Sequence, residues 1–232
     1  MEQEKNQELT QEQEMTQEQE TNQEQKKGDK SFRFGMPLLI LAIIVGAFLY
    51  TRTLVDPDIS VDGKKIDIHM TVQELLDAGF AIDDSIVGNG DLDVTKEPDI
   101  PGESYTSEFY YLYTKDQNGY YEYANIVFHV YNKDVNSVEF KDSKVYAYRF
   151  DPSCQLSKAS VLINDINFVG MSKEEAIAAF EDLGVKYDKA KKDEFINGDR
   201  AFLSGKSGSY SFIIETDVDK VTITNIEIKL DL

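Results

Sequence analysis

The sequence predicts an α+β chain: a single N-terminal transmembrane helix followed by two β-α-β-β-β modules with antiparallel sheet. Three observations carry this expectation. Phe34–Thr51 is an uncharged, mostly apolar run held between Arg33 and Arg52. A strand, a Met, a Thr or Ser and an amphipathic helix occur in that order from Ile66 to Phe80 and again from Ile166 to Val185. A tyrosine-rich alternating stretch with an Asn-Gly turn follows the first of these.

Residues 1–33 begin with a run of Gln and Glu in which TQEQEM, TQEQET and NQEQKK repeat. Nothing there buries apolar area, so the entropy of ordering goes uncompensated and a disordered tail is expected. The apolar run comes next. As a helix it reaches about 27 Å at 1.5 Å per residue, near the hydrocarbon thickness of a bilayer, so residues 34–52 read as a membrane span. Lys26, Lys27, Lys30 and Arg33 precede it, and Arg52 stands alone after it until Lys64. By the weight given to basic residues near a span, the tail is expected in the cytoplasm and the C-terminal domain outside the cell. A cleaved signal peptide fits less well, because the basic region is long and no A-x-A site follows.

The first module spans 55–151. Thr71 and Glu74 form a capping box that starts a helix with Val72, Leu75 and Leu76 on its apolar face, and Gly79 ends it. The run SEFYYLYTKDQNGYYEYANIVFHVYN then reads as a hairpin about Asn118-Gly119. As a two-residue turn this pairs Lys115 with Glu122, Tyr113 with Ala124, Tyr111 with Ile126 and Phe109 with Phe128. KVYAYRFD closes a meander. Asp151-Pro152-Ser153-Cys154 is a turn-forming linker. The second module, 155–232, repeats the order: Ser172 and Glu175 cap a helix with Ala176, Ile177, Phe180 and Leu183 inward. RAFLSG and SYSFIIE flank a Gly-Lys-Ser-Gly turn. In the last segment apolar residues change from odd to even positions, which predicts a bulge near Asn225.

The strand–Gly-Met-Ser-Lys-Glu-Glu–helix–Leu-Gly pattern at Gly170–Gly184 resembles the helix-plus-meander repeats of β-lactamase-inhibitor-like proteins and small outer-membrane-assembly lipoproteins. VDGKKIDIHMTVQELLDAGF is also similar to modules in membrane-anchored proteins of Gram-positive bacteria. The first copy departs in having His69 where the second has Gly170. The resemblance implies a protein-binding scaffold and carries no chemistry with it.

The formal net charge is −19, of which the first 33 residues hold −4 and the remainder −15. So acidic a chain does not suit nucleic acid, whose phosphates need basic patches. One cysteine, Cys154, rules out an internal disulfide. Neither a cofactor nor a metal site is expected. Asn89-Gly90-Asp91-Leu92-Asp93 puts its glycine in the wrong place for a calcium loop, His69 and His129 read as structural or surface histidines, and no G-x-S-x-G element appears. In the expected register Phe109, Tyr111, Tyr113, Ile126 and Phe128 share one face. Tyr110, Leu112, Tyr121 and Tyr123 share the other with Val127, and with the helix over the first face these four are the expected partner surface. The competing reading is strand propensity, with that face packed on the second module. The sequence therefore points to a non-catalytic, membrane-anchored module that contacts an envelope or secreted protein. The alternative is a transmembrane sensor that relays the state of the outer domain to the tail.

Overall fold

The computed structural model describes residues 57–232, apart from Gln155, Ser157, 188–193, 197–199, Val218 and Lys220, and without the side chains of 194–196. Two tight turns organise the entry to each helix. Asp62-Gly63 and Asn164-Asp165 all take positive φ, between 50° and 76°, as a type I′ turn requires of both central residues. The first closes β1 (Ile59–Val61) on β2 (Lys64–Ile66). The second folds β8 (Val161–Ile163) back so that Ile163 bridges Ile166. β1 and β8 pair antiparallel, giving a small three-stranded sheet in the order β2-β1-β8.

The first helix, Val72–Asp77, and the second, Lys173–Leu183, each start from a complete capping box: Thr71 with Glu74, and Ser172 with Glu175. Gly79 at φ 85° and Gly184 at φ 106° end them. Each helix start is tied to the beginning of a long strand. Val72 N–H donates to Ser143 O and Val145 N–H to Met70 O, while Lys173 N–H donates to Val221 O. His69 adopts φ 88°, close to the 79° of Gly170, so a residue with a Cβ accepts a glycine conformation there. A hydrogen bond of 3.0 Å between His69 Nδ1 and Tyr131 Oη holds it.

The remaining strands are β3 (Ala81–Asp83), β4 (Ser104–Tyr105), β5 (Tyr110–Lys115), β6 (Tyr121–Asn132) and β7 (Lys144–Phe150) in the first half. The second half adds β9 (Lys186–Tyr187), β10 (Glu194–Ile196), β11 (Arg200–Ser207), β12 (Tyr210–Asp217) and β13 (Ile223–Leu230). They form one ten-stranded antiparallel sheet in the order β10-β11-β12-β13-β7-β6-β5-β3, with β4 beside β6 and β9 beside β11. The halves meet where β13 pairs with β7, Ile226 opposite Phe150 and Ile228 opposite Tyr148. A single core runs across this seam. Val72 and Leu75 of one helix, and Ala176 and Phe180 of the other, pack with Leu112, Ile126, Phe128, Val145, Phe150, Phe212, Ile214, Ile226 and Ile228 of the sheet. Phe180 lies between Phe168 and Phe212, at 4.7 and 5.3 Å.

The expected fold class is corrected. The described chain is mostly antiparallel sheet with two short helices, and neither half keeps the β-α-β-β-β order within one sheet. The sequence left open whether the halves share a sheet, and their meanders do. Their first strands leave for the small sheet, and their meanders merge because β7 and β13 each satisfy the other's otherwise open edge. The described residues accordingly form one compact unit. Among the described residues no helix is long and apolar enough to cross a membrane, so the structure lends nothing to a single-pass reading. The tail, 1–33, and the apolar run, 34–52, lie outside the described residues. The turn between β11 and β12 is Gly208-Ser209 rather than Gly-Lys-Ser-Gly, since Ser207 pairs with Tyr210. Near Asn225 the register shifts: Glu215 faces Asn225 but Thr216 faces Ile223, leaving Thr224 as the extra residue.

Candidate functional site

The β5–β6 hairpin decides which aromatic side chains face outward. Asp116 N–H donates to Tyr120 O, and Gly119 N–H returns to Asp116 O at φ 86°. Asp116 Oδ1 accepts from Asn118 N–H and Tyr120 N–H, both at 2.8 Å. The loop therefore holds three residues closed by a left-handed glycine, not two. Lys115 faces Tyr121, and Tyr113 faces Tyr123. Beyond a further irregularity at Ala124 and Asn125, Leu112 faces Ile126 and Tyr110 faces Phe128. A register displaced by one residue exchanges the faces of a strand.

The expected partner surface is corrected accordingly. Tyr110 (3 % exposed) and Leu112 (0 %) point into the main core. Tyr123 (8 %) belongs to a small cluster on the other face with Ala81, Tyr113 and Val127, against which Tyr111 and Cys154 pack. Only Tyr121 (39 %) is open, beneath the Lys115 ammonium 5.0 Å from its ring centre. These four residues do not form one surface.

A different aromatic group lies on the sheet face turned away from the main core. Tyr105 of β4, Tyr146 of β7, His129 of β6 and Phe109, just ahead of β5, touch in sequence, with ring centres 5.9, 5.6 and 4.3 Å apart. The ends of the row are the most open, Tyr105 at 67 % and Phe109 at 40 %. At the Phe109 end the Arg149 guanidinium sits over the ring at 5.8 Å. From Tyr146 a branch runs to Tyr131 at 6.1 Å and on to His69, so the two histidines are connected through two tyrosines.

The backbone places these rings. His129 faces Ala147 but Val130 faces Val145, so Tyr146 is an extra residue in β7. Val145 and Tyr148 both belong to the core; two residues therefore face outward between them, and a bulge of this kind re-aims a side chain. Tyr146 Oη donates to Thr106 O at 3.3 Å, and Thr106 N–H donates to Val130 O. The buried Asn132 amide donates to Ile100 O and Pro101 O, each at 3.1 Å, and to Asn136 O at 2.7 Å. It thereby fixes the loop that delivers Tyr105.

Among the described residues His129 Nδ1 has no hydrogen-bond partner. Burial pushes the ring's pKa down, opposed by Glu227 and the Glu108 main chain and assisted by Arg149 and Lys229. Burial likewise raises the Tyr146 phenol, with Glu227 adding to it. The neighbouring cations are matched: Arg149 to Glu215 at 2.7 Å and Lys229 to Glu227 at 3.4 Å. Glu215 also receives Arg200 at 2.9 Å.

Elsewhere, an open groove of about 490 Å³ is lined by Pro152–Cys154, Phe168–Ser172 and Val221–Ile223. Asp93 is pulled down to about 2 by the Thr95 hydroxyl and Lys96, a local turn arrangement. Among the described residues no group of three or more His, Cys, Asp or Glu is placed to hold a metal ion. The row escaped sequence reasoning because neither the loop length at Asn118-Gly119 nor the extra residue at Tyr146 shows in the pattern. One signal was available: apolar Ile126, Phe128 and Val130 put His129 and Tyr131 on the opposite face. Comparison with protein-family models, curated proteins and solved structures finds no match to this chain.

Proposed function

We propose that residues 57–232 are a non-catalytic protein-binding module, working outside the cytoplasm on an envelope or secreted partner through the outer aromatic row. The observation that carries the reading is the row itself: four touching rings with open ends on the sheet face away from the core. Aromatic side chains, tyrosine above all, give large contact area at little cost in side-chain entropy and dominate recognition surfaces. The location rests on the sequence alone, on the basic residues ahead of Phe34.

Capture from envelope extract with the full-length chain tests the contact surface. Wild type is expected to retain a partner that Tyr105→Ala with Phe109→Ala loses, at unchanged circular dichroism. Equal capture by both sinks the surface. For location, a membrane-impermeant thiol reagent on intact cells is expected to label the half-buried Cys154, and labelling only after lysis reverses the assignment.

A further inference from the structure

The row's chemistry narrows the partner. Aromatic ring faces carry the negative part of a quadrupole and attract cations. This chain already uses them so: Arg149 lies over Phe109 at 5.8 Å, and Lys64 over Phe80 and Lys115 over Tyr121, each at 5.0 Å. Of the row, only the Phe109 end carries a cation from the described residues. Tyr105, the most open ring, has Tyr146 at its side and no cation among the contacts described. By the middle of the row Glu227 is paired with Lys229 at 3.4 Å, and Arg149 with Glu215 at 2.7 Å, so the row's own neighbouring charges are balanced and the pull on a partner comes from the chain's overall charge.

Net charge sorts the possible occupants. The chain after residue 33 carries −15. A second copy brings the same charge and is repelled, as is any polyanion; a basic polypeptide is drawn in. We infer that the outer row is the docking site for a basic segment of a partner protein, whose arginine or lysine side chains lie over the open ring of Tyr105 and the half-buried ring of Tyr146, next to the Phe109 ring that Arg149 already covers. The inference rests on the protein-binding reading above and adds the chemistry recognised. Arginine suits the site better than lysine, because its planar, weakly hydrated guanidinium stacks on rings.

The test uses the full-length chain and fluorescein-labelled decaarginine, decalysine and decaglutamate, read by fluorescence anisotropy at low and at physiological salt. Charge alone draws a basic peptide to any acidic protein, so the decisive variant keeps the charge: Tyr105→Leu with Tyr146→Leu. Each ring is expected to contribute roughly two- to five-fold, and the pair about five- to twenty-fold, in decaarginine affinity. Decaarginine is expected to bind more tightly than decalysine, with a weakening in salt, and decaglutamate not at all. Equal decaarginine affinity for variant and wild type overturns the inference, as does salt-independent binding or displacement by neutral cellohexaose. The two readings separate cleanly. If the leucine variant loses its captured protein yet binds decaarginine as wild type does, the contact surface stands and the cationic anchor falls. If it keeps the captured protein, the surface falls as well.

Discussion

Replacing Tyr110 and Tyr121 by alanine, one at a time, separates the two registers of the β5–β6 hairpin. In the structure Tyr110 is sealed beneath the sheet, its ring 4.5 Å from Phe140 and 5.8 Å from Phe128. Its hydroxyl is 3.4 Å from both Glu97 and Glu108, at the limit of a hydrogen bond, and adds little. Truncating a buried aromatic side chain loses its transfer free energy and leaves a cavity, about 3–5 kcal/mol in all. Tyr121 keeps 39 % of its surface in water, and its replacement is expected to cost about 0.5 kcal/mol, as for an open site. Urea unfolding followed by circular dichroism reads the difference as a fall in midpoint at constant slope. In heat, the Tyr110 variant is expected to melt roughly 6–20 °C lower for a unit of this size. The slipped register puts Tyr110 on the same face as Tyr121 and open to water. Equal, small losses for the two variants refute the buried position and with it the three-residue loop.

Three further outcomes follow from single sites. His69→Gly relieves the positive-φ strain at φ 88° while His69→Ala keeps it. Both lose the Tyr131 hydrogen bond, so the glycine variant is expected to be more stable by about 1 kcal/mol in urea. Asn132→Ala frees the carbonyls of Ile100, Pro101 and Asn136. A loss of about 1–3 kcal/mol is expected, with faster amide exchange in the 100–106 segment. For His129 the folded pKa lies below the ordinary 6.5, so the fold prefers the neutral ring. Below pH 6.5 the unfolded chain takes up a proton that the folded chain resists. Stability therefore falls as pH drops from 6.5 toward the lowered value and levels off beneath it. His129→Phe is expected to flatten that part of a pH series of urea midpoints; an unchanged slope assigns it to other groups.

Local signals in the sequence were read correctly where one residue type has one physical use. Thr71 with Glu74 and Ser172 with Glu175 form the boxes their spacing implies, and Gly79 and Gly184 end the helices. The change of phase before Ile226 marks a real irregularity. What failed depends on partners distant in sequence. Nothing in the alternation of β7 or β13 says that each pairs with the other, so one sheet was not separable from two. β3 and β9 are short strands whose existence depends on Tyr113 and Gly205 lying beside them. The fold class went wrong on helix content: the α-helices of the described chain are only Val72–Asp77 and Lys173–Leu183, and most of that chain is extended and paired. Pattern alone shows which segments are extended, while pairing decides how many sheets they make.

The candidate site turns on smaller displacements still. Asn118-Gly119 occurs in two-residue loops as the pair of central residues, and in three-residue loops as the last two. The dipeptide is the same; the register differs by one. That single residue carries Tyr110 and Leu112 from the solvent face to the core and brings Phe109 out beside His129. On the other side of β6, the extra Tyr146 does the same work in the opposite sense. Were β7 regular from Val145, Tyr148 would face outward and the core would lose the ring packed 6.4 Å from Phe128. The extra residue instead keeps Tyr148 inside while leaving Tyr146 outside, next to small Ala147 opposite His129. The loop at Gly119 and the bulge at Tyr146 thus satisfy two demands at once: apolar side chains fill the core, and Phe109, His129 and Tyr146 meet on the other face. An aromatic-rich sequence supplies the rings in either register. The backbone irregularities decide which rings a partner would meet.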